Sequence, residues 1–330
     1  MMYTTPVLGK LLFESFEKEG QRLVVIRPGA PECAGIDHLP GFMEENKERL
    51  TGILRESGCI LFRGFDITDR DMFMRAKKSF PGAGDFDYVD GNSPRTKLSA
   101  AVYTSTEYPK EFPISLHSEL SYSTRWPALL FFFCKTPAEG GGETPIADCR
   151  HVLQKLGAEI TGKFEELGVK YTRFLSGTKG IGKTWMDTFE TQDKVVAEEH
   201  CRKNGIDFRW DGNSLCLSQV GPGVVRHPVT GEKVWFNQAN QFHPSGLPAD
   251  IRKALTLMHK DRWDRYPQYA FYGNGEQIPE EILLRITQMH FDCALKFPWE
   301  KGDLLVLDNY LMAHGRMPFK GPREILVSMS

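Results

Sequence analysis

Two side chains of types that bind metals stand close together in one extended stretch of the chain. His117 and Glu119 are two residues apart in the sequence Ile-Ser-Leu-His-Ser-Glu-Leu, and alternate residues of a β-strand point to the same face of a sheet. A further candidate ligand, His314, lies far downstream. Two histidines and one carboxylate on one face of an octahedral Fe(II) leave positions open for a cosubstrate and O2. The three residues therefore predict a mononuclear iron site.

Two arginines follow the downstream histidine closely in the sequence. A predicted strand at 303–308 precedes His314, and Arg323 comes nine residues after the histidine, before a last predicted strand at 324–329. We predict that these two strands form a hairpin with the histidine and the arginine near its open end. Such an arrangement suits a keto acid that chelates iron at one end and pairs with a guanidinium at the other. Arg316 is the second candidate for that pairing.

The composition is that of an ordinary soluble globular protein. The 330 residues are 41% hydrophobic and 25% charged, and the formal net charge of -2 gives no electrostatic case for binding nucleic acid. The longest apolar run, 128–134, is far shorter than the roughly 20 residues of a membrane-spanning helix, and no secretory signal is visible. Seven cysteines without a C-x-x-C pair argue against a disulfide framework and a zinc ribbon. We expect a cytoplasmic protein with a small-molecule ligand and no membrane partner.

Helical and extended patterns alternate along the chain. Helical periodicity predicts helices at 42–56, 69–79, 151–167, 248–260 and 279–295, with Asp148 capping the third. Extended segments are predicted at 59–63, 97–103, 113–119, 127–134, 143–147, 233–236, 303–308 and 324–329. Because no repeat or linker interrupts this order, we expect one domain spanning 1–330, with a lid-like insertion around 171–246. The oligomeric state is not indicated.

Several short motifs occur in one order along the chain. They are Leu-Phe-Arg-Gly-Phe at 61–65, Tyr-Thr-Ser-Thr-Glu-Tyr-Pro at 103–109, His-Ser-Glu at 117–119, Trp-Pro at 126–127, Phe-Phe-Cys at 132–134, Gly-Gly-Glu-Thr-Pro-Ile-Ala-Asp at 141–148, Trp-Phe-Asn at 235–237 and His-Gly-Arg at 314–316. In this order they resemble the TauD/TfdA (clavaminate-synthase-like) family of Fe(II)/2-oxoglutarate-dependent dioxygenases. The resemblance runs from about residue 59 to the C-terminus. It implies a mixed α/β protein with a mainly β core, a double-stranded β-helix or jelly roll with flanking helices.

The resemblance also implies a set of ligands and cofactors. His117, Glu119 and His314 would bind Fe(II), and Arg323 would anchor the distal carboxylate of 2-oxoglutarate with help from Thr144. O2 would be the second cosubstrate. Without the family, Thr144 is better explained as a residue at the edge of a strand beside a glycine run.

Glutamate at position 119, where most of the family has aspartate, narrows the expected reaction. It is similar to the branch that contains clavaminate synthase and several amino-acid hydroxylases, and it argues against halogenating relatives that have a small residue there. The motifs at 103–109 and 143–150 look most like the syringomycin-cluster-type hydroxylases. The resemblance therefore implies hydroxylation, or else desaturation, of an amino acid in secondary metabolism, either free or tethered to a carrier protein. Val327 stands where taurine-type enzymes place a second arginine, which makes a sulfonate site doubtful.

Polar residues near the predicted metal strand and near residue 240 are candidates for binding substrate. Amide and imidazole groups among aromatic neighbours suit the orientation of a polar ligand. The same residues also fit a packed strand end whose polar groups are satisfied within the protein. The candidates are Tyr122, Arg125, Asn237, Gln238 and His243.

A competing motif occurs in the middle of the chain. The segment from Gly177 to Thr184 matches the P-loop pattern G-x-x-x-x-G-K-[ST], in which Lys183 would contact phosphates. A P-loop should follow a buried parallel strand and open a long helix, and the sequence around this segment predicts neither. We instead expect a basic lid, in which Lys179 and Lys183 could meet an acidic substrate. A P-loop nucleotide hydrolase and a non-catalytic jelly-roll binding protein are the alternative functions.

Overall fold

The computed structural model describes most of the chain as helices, strands and ordered connections. The described residues are 2–8, 11–86, 88–91, 95–99, 102–105, 108–178, 180, 182–260 and 262–330, without the side chains of 2–8, 97 and 99. Among these residues, none of the helices combines the length and apolarity that a bilayer crossing requires. All seven cysteines are free thiols.

Strands make up the core of the molecule. In chain order they are β1 (Met2–Leu8), β2 (Leu11–Lys18), β3 (Gln21–Pro28), β4 (Cys59–Phe62), β5 (Lys97–Ser99), β6 (Val102–Thr104), β7 (Ile114–His117), β8 (Leu129–Thr136), β9 (Gly140–Gly141), β10 (Ile146–Asp148), β11 (Val169–Leu175), β12 (Asp207–Asp211), β13 (Ser214–Gly221), β14 (Val224–Arg226), β15 (Lys233–Trp235), β16 (Gln268–Tyr272), β17 (Leu304–Asp308), β18 (Met312–Arg316), β19 (Phe319–Lys320) and β20 (Glu324–Met329).

Helices lie between the strands and cover them. In chain order they are α1 (His38–Glu45), α2 (Lys47–Ser57), α3 (Arg70–Ser79), α4 (Cys149–Leu156), α5 (Ala158–Leu167), α6 (Trp185–Phe189), α7 (Lys194–Lys203), α8 (Ala239–Phe242), α9 (Ala249–His259) and α10 (Glu280–Cys293).

Two sheets enclose the main core. The larger has the strand order β1-β2-β3-β4-β17-β8-β20-β6-β5, and the smaller has the order β10-β18-β7. Apolar side chains from both, such as Phe132 and Ile325 from the larger and Leu116 and Ala313 from the smaller, belong to one buried cluster. The predicted jelly roll with flanking helices is confirmed.

The continuous apolar run of β8 is explained by burial on both faces of the large sheet. Leu130 and Phe132 join the core between the sheets. Phe131 and Phe133 belong to a second buried cluster, which includes apolar residues of α1, α2 and α3. Because alternate residues face opposite sides of a strand, a strand buried on both faces needs apolar residues at every position. The strand β17 follows the same rule.

Two of the predicted helices are each two helices in the structure. The prediction at 151–167 was wrong because Gly157, with φ 74° and ψ 160°, separates α4 from α5 in a conformation that no helix contains. The predicted cap is confirmed, since the Asp148 side chain accepts a hydrogen bond from the backbone N–H of Arg150. The prediction at 42–56 was also wrong in its continuity. Asn46, with φ -115°, separates α1 from α2.

The predicted hairpin of the last two long strands is wrong. In the large sheet β8 lies between β17 and β20 and pairs with both. The connection between β17 and β20 contains β18, which belongs to the smaller sheet. The chain therefore crosses from the larger sheet to the smaller sheet and back, as a jelly roll requires. His314 lies in the smaller sheet, and Arg323 directly precedes β20 of the larger sheet.

A third sheet packs beside the jelly roll. Its strand order is β12-β13-β11-β16, with antiparallel pairing throughout. The segment predicted as an insertion, residues 171–246, supplies most of this sheet together with α6, α7 and α8. β11 lies in the middle of the sheet, and its Tyr171 reaches into the main core.

Candidate active site

Two neighbouring strands of the smaller sheet bring the three predicted metal ligands together. β7 pairs with β18 so that His117 lies directly opposite His314, and one ligand atom of each histidine and of Glu119 lies within 4.8 Å of the others. The Nε2 atoms of His314 and His117 are 3.6 and 3.9 Å from Oε2 of Glu119. All three side chains are buried. This donor set fits the two-histidine, one-carboxylate facial arrangement that holds Fe(II).

Glu119 is held by an asparagine rather than by its strand. β7 ends at His117, and Leu120 adopts φ 56°, a left-handed conformation unusual for leucine. The Asn309 side chain accepts from the backbone N–H of Glu119 at 2.7 Å and donates to its carbonyl at 3.0 Å and to the carbonyl of Pro127 at 2.8 Å. These bonds offset the cost of the turn and fix the backbone from which the carboxylate extends.

The ring of His117 is oriented by a backbone carbonyl. Its Nδ1 lies 3.0 Å from the carbonyl oxygen of Ser115, and the side-chain amide of Gln241 donates to the same oxygen at 2.7 Å. Burial, together with the neighbouring His314, lowers the pKa of His117 to about 3. The ring is therefore neutral near pH 7. Nδ1 also lies 2.9 Å from the amide nitrogen of Gln241, and in the tautomer whose Nδ1–H donates to Ser115 the lone pair of Nε2 faces Glu119 and is available for a metal.

A buried arginine pairs with the carboxylate of Glu119. Nη2 of Arg95 lies 2.6 Å from Oε2 of Glu119, and the two side chains are 3% and 4% exposed. Burial by itself would raise the pKa of Glu119, but the charge of Arg95, with the nearby histidines, holds that pKa well below its usual range. The carboxylate is therefore ionised, as a metal ligand must be.

A small cavity of about 30 Å³ opens beside the histidines, and we call it the inner cavity. Arg323 and Thr144 line it together with His117 and His314. The guanidinium of Arg323 donates to the carbonyl of Gly142 at 2.9 Å, and no carboxylate among the described residues forms an ion pair with it. Burial, with the charge of Arg316, lowers the pKa of Arg323 to about 10. A desolvated cation without a counter-ion suits a bound anion.

The hydroxyl of Thr144 is prepared to donate into the inner cavity. Its Oγ1 accepts a hydrogen bond from the indole N–H of Trp299 at 3.1 Å, and both side chains are buried. Because that acceptor position is filled, the hydroxyl proton is free to turn toward an anion beside Arg323. This geometry fits the carboxylate of a keto acid.

Arg316, the second candidate anchor, has other partners. Its guanidinium donates to the backbone carbonyls of Tyr108, Pro109 and Phe112 at 2.7 to 2.9 Å. It lines the inner cavity, but most of its hydrogen bonds hold the loop that precedes β7. The structure therefore favours Arg323 as the anion ligand and Arg316 as a support for the loop.

A second cavity of about 200 Å³, the outer cavity, also borders the triad. His117 and Glu119 are part of its wall, together with polar and aromatic side chains: Tyr88, Tyr108, Ser115, Tyr122, Gln238, Gln241 and Gln268. A ligand in this cavity would lie next to the triad without entering the inner cavity. The outer cavity is therefore the candidate site for an organic substrate.

The five predicted substrate residues are not all in this cavity. Tyr122 and Gln238 line it, although the Tyr122 hydroxyl donates to the carbonyl of Asp90 and the Gln238 amide donates to that of Ser118. His243 lines an adjoining chamber. Asn237 bonds to the backbone at Gly223 and Ala239, and Arg125 is exposed. His243, Asn237 and Arg125 therefore all lie outside the wall of the outer cavity.

Comparison with known proteins agrees with this geometry. A family model described as "Taurine catabolism dioxygenase TauD, TfdA family" matches residues 28–329. The chain belongs to the TauD/TfdA family. The family predicted from the motifs is confirmed. The enzyme class implied by them, an Fe(II)- and 2-oxoglutarate-dependent dioxygenase, is confirmed with it.

Two relatives resemble most of this TauD/TfdA chain. The dapdiamide synthesis protein DdaC of Enterobacter agglomerans is 38% identical over 280 residues, which are 84% of this chain and 83% of that protein. A clavaminate synthase-like protein of Arabidopsis thaliana is 30% identical over 298 residues, 87% and 86% of the two chains. The crystal structure of PvcB from Pseudomonas aeruginosa superposes with a TM-score of 0.55 over 98% of this chain and 93% of its own. At 16% identity, PvcB shows the shared fold alone.

The P-loop-like segment of this TauD/TfdA protein has no nucleotide-binding surroundings in its described residues. β11, which precedes it, pairs antiparallel with both neighbours, and α6, which follows, has five residues. The Thr184 hydroxyl caps α6 and bonds to Asp187, and the Lys183 ammonium donates to the carbonyl of Gly91. Lys179, the other predicted lid lysine, lies outside the described residues.

Three residues of the site were missed by reasoning from the sequence. Asn309 directly follows a predicted strand, and Trp299 lies near the start of that strand, so their positions gave a weak signal. Arg95 ends a polar loop and has no distinguishing pattern around it. Only the folded chain brings its guanidinium to Glu119.

Proposed function

We propose that this dioxygenase oxidises an amino-acid-derived small molecule bound in the outer cavity, with iron held by His117, Glu119 and His314. One observation carries the proposal. The three ligand atoms lie within 4.8 Å of one another, and their side chains line two cavities whose walls differ in chemistry. The inner cavity offers an anion the guanidinium of Arg323, which has no carboxylate partner within the described part of the chain, and the outer cavity offers amide and aromatic groups to an organic substrate.

Each residue has a distinct task in the proposed reaction. Arg323 and Thr144 bind the distal carboxylate of 2-oxoglutarate and so fix its keto-acid end toward the triad. Asn309 and Ser115 hold Glu119 and His117 in place, and Arg95 keeps the carboxylate ionised. When bound, Fe(II) with 2-oxoglutarate and O2 supplies the oxidising chemistry, which releases succinate and CO2. The buried walls exclude water from the reacting carbon.

The substrate class is supported by the relatives and by the residue at 119. DdaC takes part in dapdiamide synthesis by name, and the relative from Arabidopsis thaliana is named for its likeness to clavaminate synthase. Because Glu119 supplies a protein oxygen where halogenating relatives have a small residue, we propose hydroxylation first and desaturation second. An amino acid tethered to a carrier protein would need its arm to reach the outer cavity.

The insertion is proposed to act as a lid over the outer cavity. Gln238 and Gln241 of this segment lie in the cavity wall, so movement of the segment would open or close the substrate site.

We also propose that the chain forms a single catalytic domain. Because all seven cysteines are free thiols, we propose a reducing cytoplasmic location.

The metal site can be tested without knowing the substrate. Anaerobic addition of Fe(II) and 2-oxoglutarate to the full chain should give a visible absorption band from the chelated keto acid. His117→Ala, Glu119→Ala and His314→Ala should each abolish this band while the far-ultraviolet circular dichroism stays unchanged. His38→Ala, at an exposed position of α1, is a control that should keep the band. A full band in any ligand variant would contradict the assignment.

A further inference from the structure

We infer that the substrate carries an uncharged apolar arm, which binds in a chamber that adjoins the outer cavity. The inference rests on the proposed function, because it assigns the substrate of that same site. The chamber has a volume of about 440 Å³, about twice that of the outer cavity. We call it the side chamber. Its apolar lining includes Phe174, Leu175, Phe242, Leu247, Ile251 and Leu255.

The side chamber and the outer cavity have a common boundary. Tyr108, Leu247 and Gln268 line both of them. A molecule whose reacting carbon lies beside His117 and Glu119 could therefore extend past these three side chains into the chamber. The two spaces differ in chemistry, since amides and hydroxyls dominate the outer cavity and aliphatic and aromatic groups dominate the chamber. A ligand that fills both has a polar head and an apolar arm.

Three polar side chains in the chamber wall, Lys183, His243 and Gln268, already have partners in the protein. The Lys183 ammonium donates to the carbonyl of Gly91 at 2.8 Å, and Nε2 of His243 lies 3.0 Å from a tyrosine hydroxyl. The Gln268 amide donates to a backbone carbonyl of α8 at 2.7 Å. The wall is otherwise mostly apolar, so a charged arm would lose its hydration here, and an anionic arm could recover part of that loss only by drawing the Lys183 ammonium away from the carbonyl of Gly91. An apolar arm would lose only unfavourable contact with water.

The side chamber also explains what the P-loop-like segment does in this fold. Gly182 and Lys183 belong to the chamber wall, next to the end of β11. The segment therefore contributes to a substrate compartment rather than to a phosphate site, and residues of α9 complete the wall from the other side.

The test is binding of N-acylglycinamides to the full chain loaded with Fe(II) and 2-oxoglutarate in the absence of oxygen. These probes have a polar head, no carboxylate to compete with 2-oxoglutarate, and an acetyl, butanoyl, hexanoyl or octanoyl arm. Calorimetry should show about fourfold tighter binding for each added methylene, which corresponds to about 0.8 kcal/mol for a buried CH₂.

A pair of variants on one helix locates the arm. Ile251 lines the chamber, whereas Leu257, also on α9, does not, and their exposed fractions of 42% and 71% make both positions tolerant of change. Ile251→Asp should weaken octanoyl binding by about tenfold or more and leave acetyl binding unchanged. Leu257→Asp should change neither.

Several outcomes would overturn the inference. They are affinity independent of arm length, failure of every probe to bind, or an equal loss of octanoyl binding in Leu257→Asp. Tighter binding of a probe whose arm ends in a carboxylate than of the uncharged probe of equal length would also overturn it. The absorption band from Fe(II) and 2-oxoglutarate does not involve the side chamber, so failure of the proposed function would be seen separately.

Discussion

At the scale of single residues, two arginines near the triad differ in their partners. Arg95 is paired with Glu119 at 2.6 Å, so its charge is used within the protein. Among the described residues, Arg323 donates to a carbonyl and a hydroxyl, those of Gly142 and Ser105, and forms no ion pair. Because a buried guanidinium without a counter-ion is costly, Arg323 is the cation that gains most from a bound carboxylate.

Replacement of Arg323 by lysine tests this difference. An ammonium cannot reproduce a forked pair with a carboxylate, so Arg323→Lys should raise the concentration of 2-oxoglutarate needed for half-saturation by on the order of tenfold or more, given about 1.5 to 3 kcal/mol for a charge-assisted bond. Anaerobic titration of the visible band measures this. Arg285→Lys, on the exposed side of α10, is the control. A normal 2-oxoglutarate requirement in Arg323→Lys combined with a raised one in Arg316→Lys would move the anchor to Arg316.

The sequence predicted which residue types would meet, but not what holds them. The histidines and Glu119 were predictable because their side chains have metal-binding chemistry and a recognisable spacing. The expectation that strand geometry would place Glu119 was incomplete, since β7 ends at His117 and Asn309 holds the glutamate. The contact between Arg95 and Glu119 joins separate parts of the chain through side-chain packing. Such a contact could not be predicted, because it leaves no periodic pattern in a single sequence.

At the scale of elements, the pairing of β7 with β18 determines the spacing of the two histidines. Gly315 lies between His314 and Arg316, where the register of this pair is irregular. A Cβ atom at Gly315 would lie 2.5 Å from the carbonyl oxygen of Ile114, so any larger residue must push β7 away. The glycine of the His-Gly-Arg motif is thus required by the close approach of two backbones.

Gly315→Ala should therefore weaken metal binding through the backbone. We expect a loss of Fe(II) affinity on the order of tenfold, similar to the loss of a group that orients a metal ligand, as measured by anaerobic calorimetry. Gly52→Ala is the matched control, because a Cβ there meets no atom within 4 Å inside α2. That variant should keep its metal affinity and become more stable by about 0.5–1 kcal/mol. Wild-type metal affinity in Gly315→Ala would contradict the proposed coupling.

Element types were easier to predict than their connections. The apolar runs of β8 and β17 identified strands buried on both faces, and Asp148 identified a helix start. The breaks at Gly157 and Asn46 were missed because apolar periodicity continues across them. The prediction paired β17 with β20, whereas β17 pairs with β4 and β8. The error arose because the intervening strand β18 joins the facing sheet, and local sequence does not indicate which sheet a strand joins.

At the scale of the whole molecule, the buried interior contains oppositely charged side chains that lie in contact. Arg63 pairs with Asp303 at 2.6 Å across β4 and the start of β17, and Arg173 pairs with Asp90 at 2.7 Å. Several histidines are instead buried in neutral form. Such a protein should lose stability in acid, because unfolding lets neutral histidines take up protons.

His290 on α10 offers a clean test of acid sensitivity away from the triad. Burial lowers its pKa from 6.5 to about 4, and its Nδ1 bonds to the carbonyl of Ile286. Between pH 6.5 and 4 the unfolded chain therefore binds a proton at this residue that the folded chain does not, so stability falls as the pH is lowered. The full effect, reached below pH 4, is about 3 kcal/mol.

His290→Leu removes this proton uptake and keeps an apolar side chain of similar size. The free energy of unfolding, measured in urea at intervals from pH 7 to pH 4, should fall less steeply for the variant than for the wild type. The difference should appear below pH 6.5 and grow toward pH 4. His243, whose pKa burial also lowers to about 4, titrates in both proteins and cancels in the comparison. Parallel pH profiles would show that His290 does not resist protonation in the folded chain.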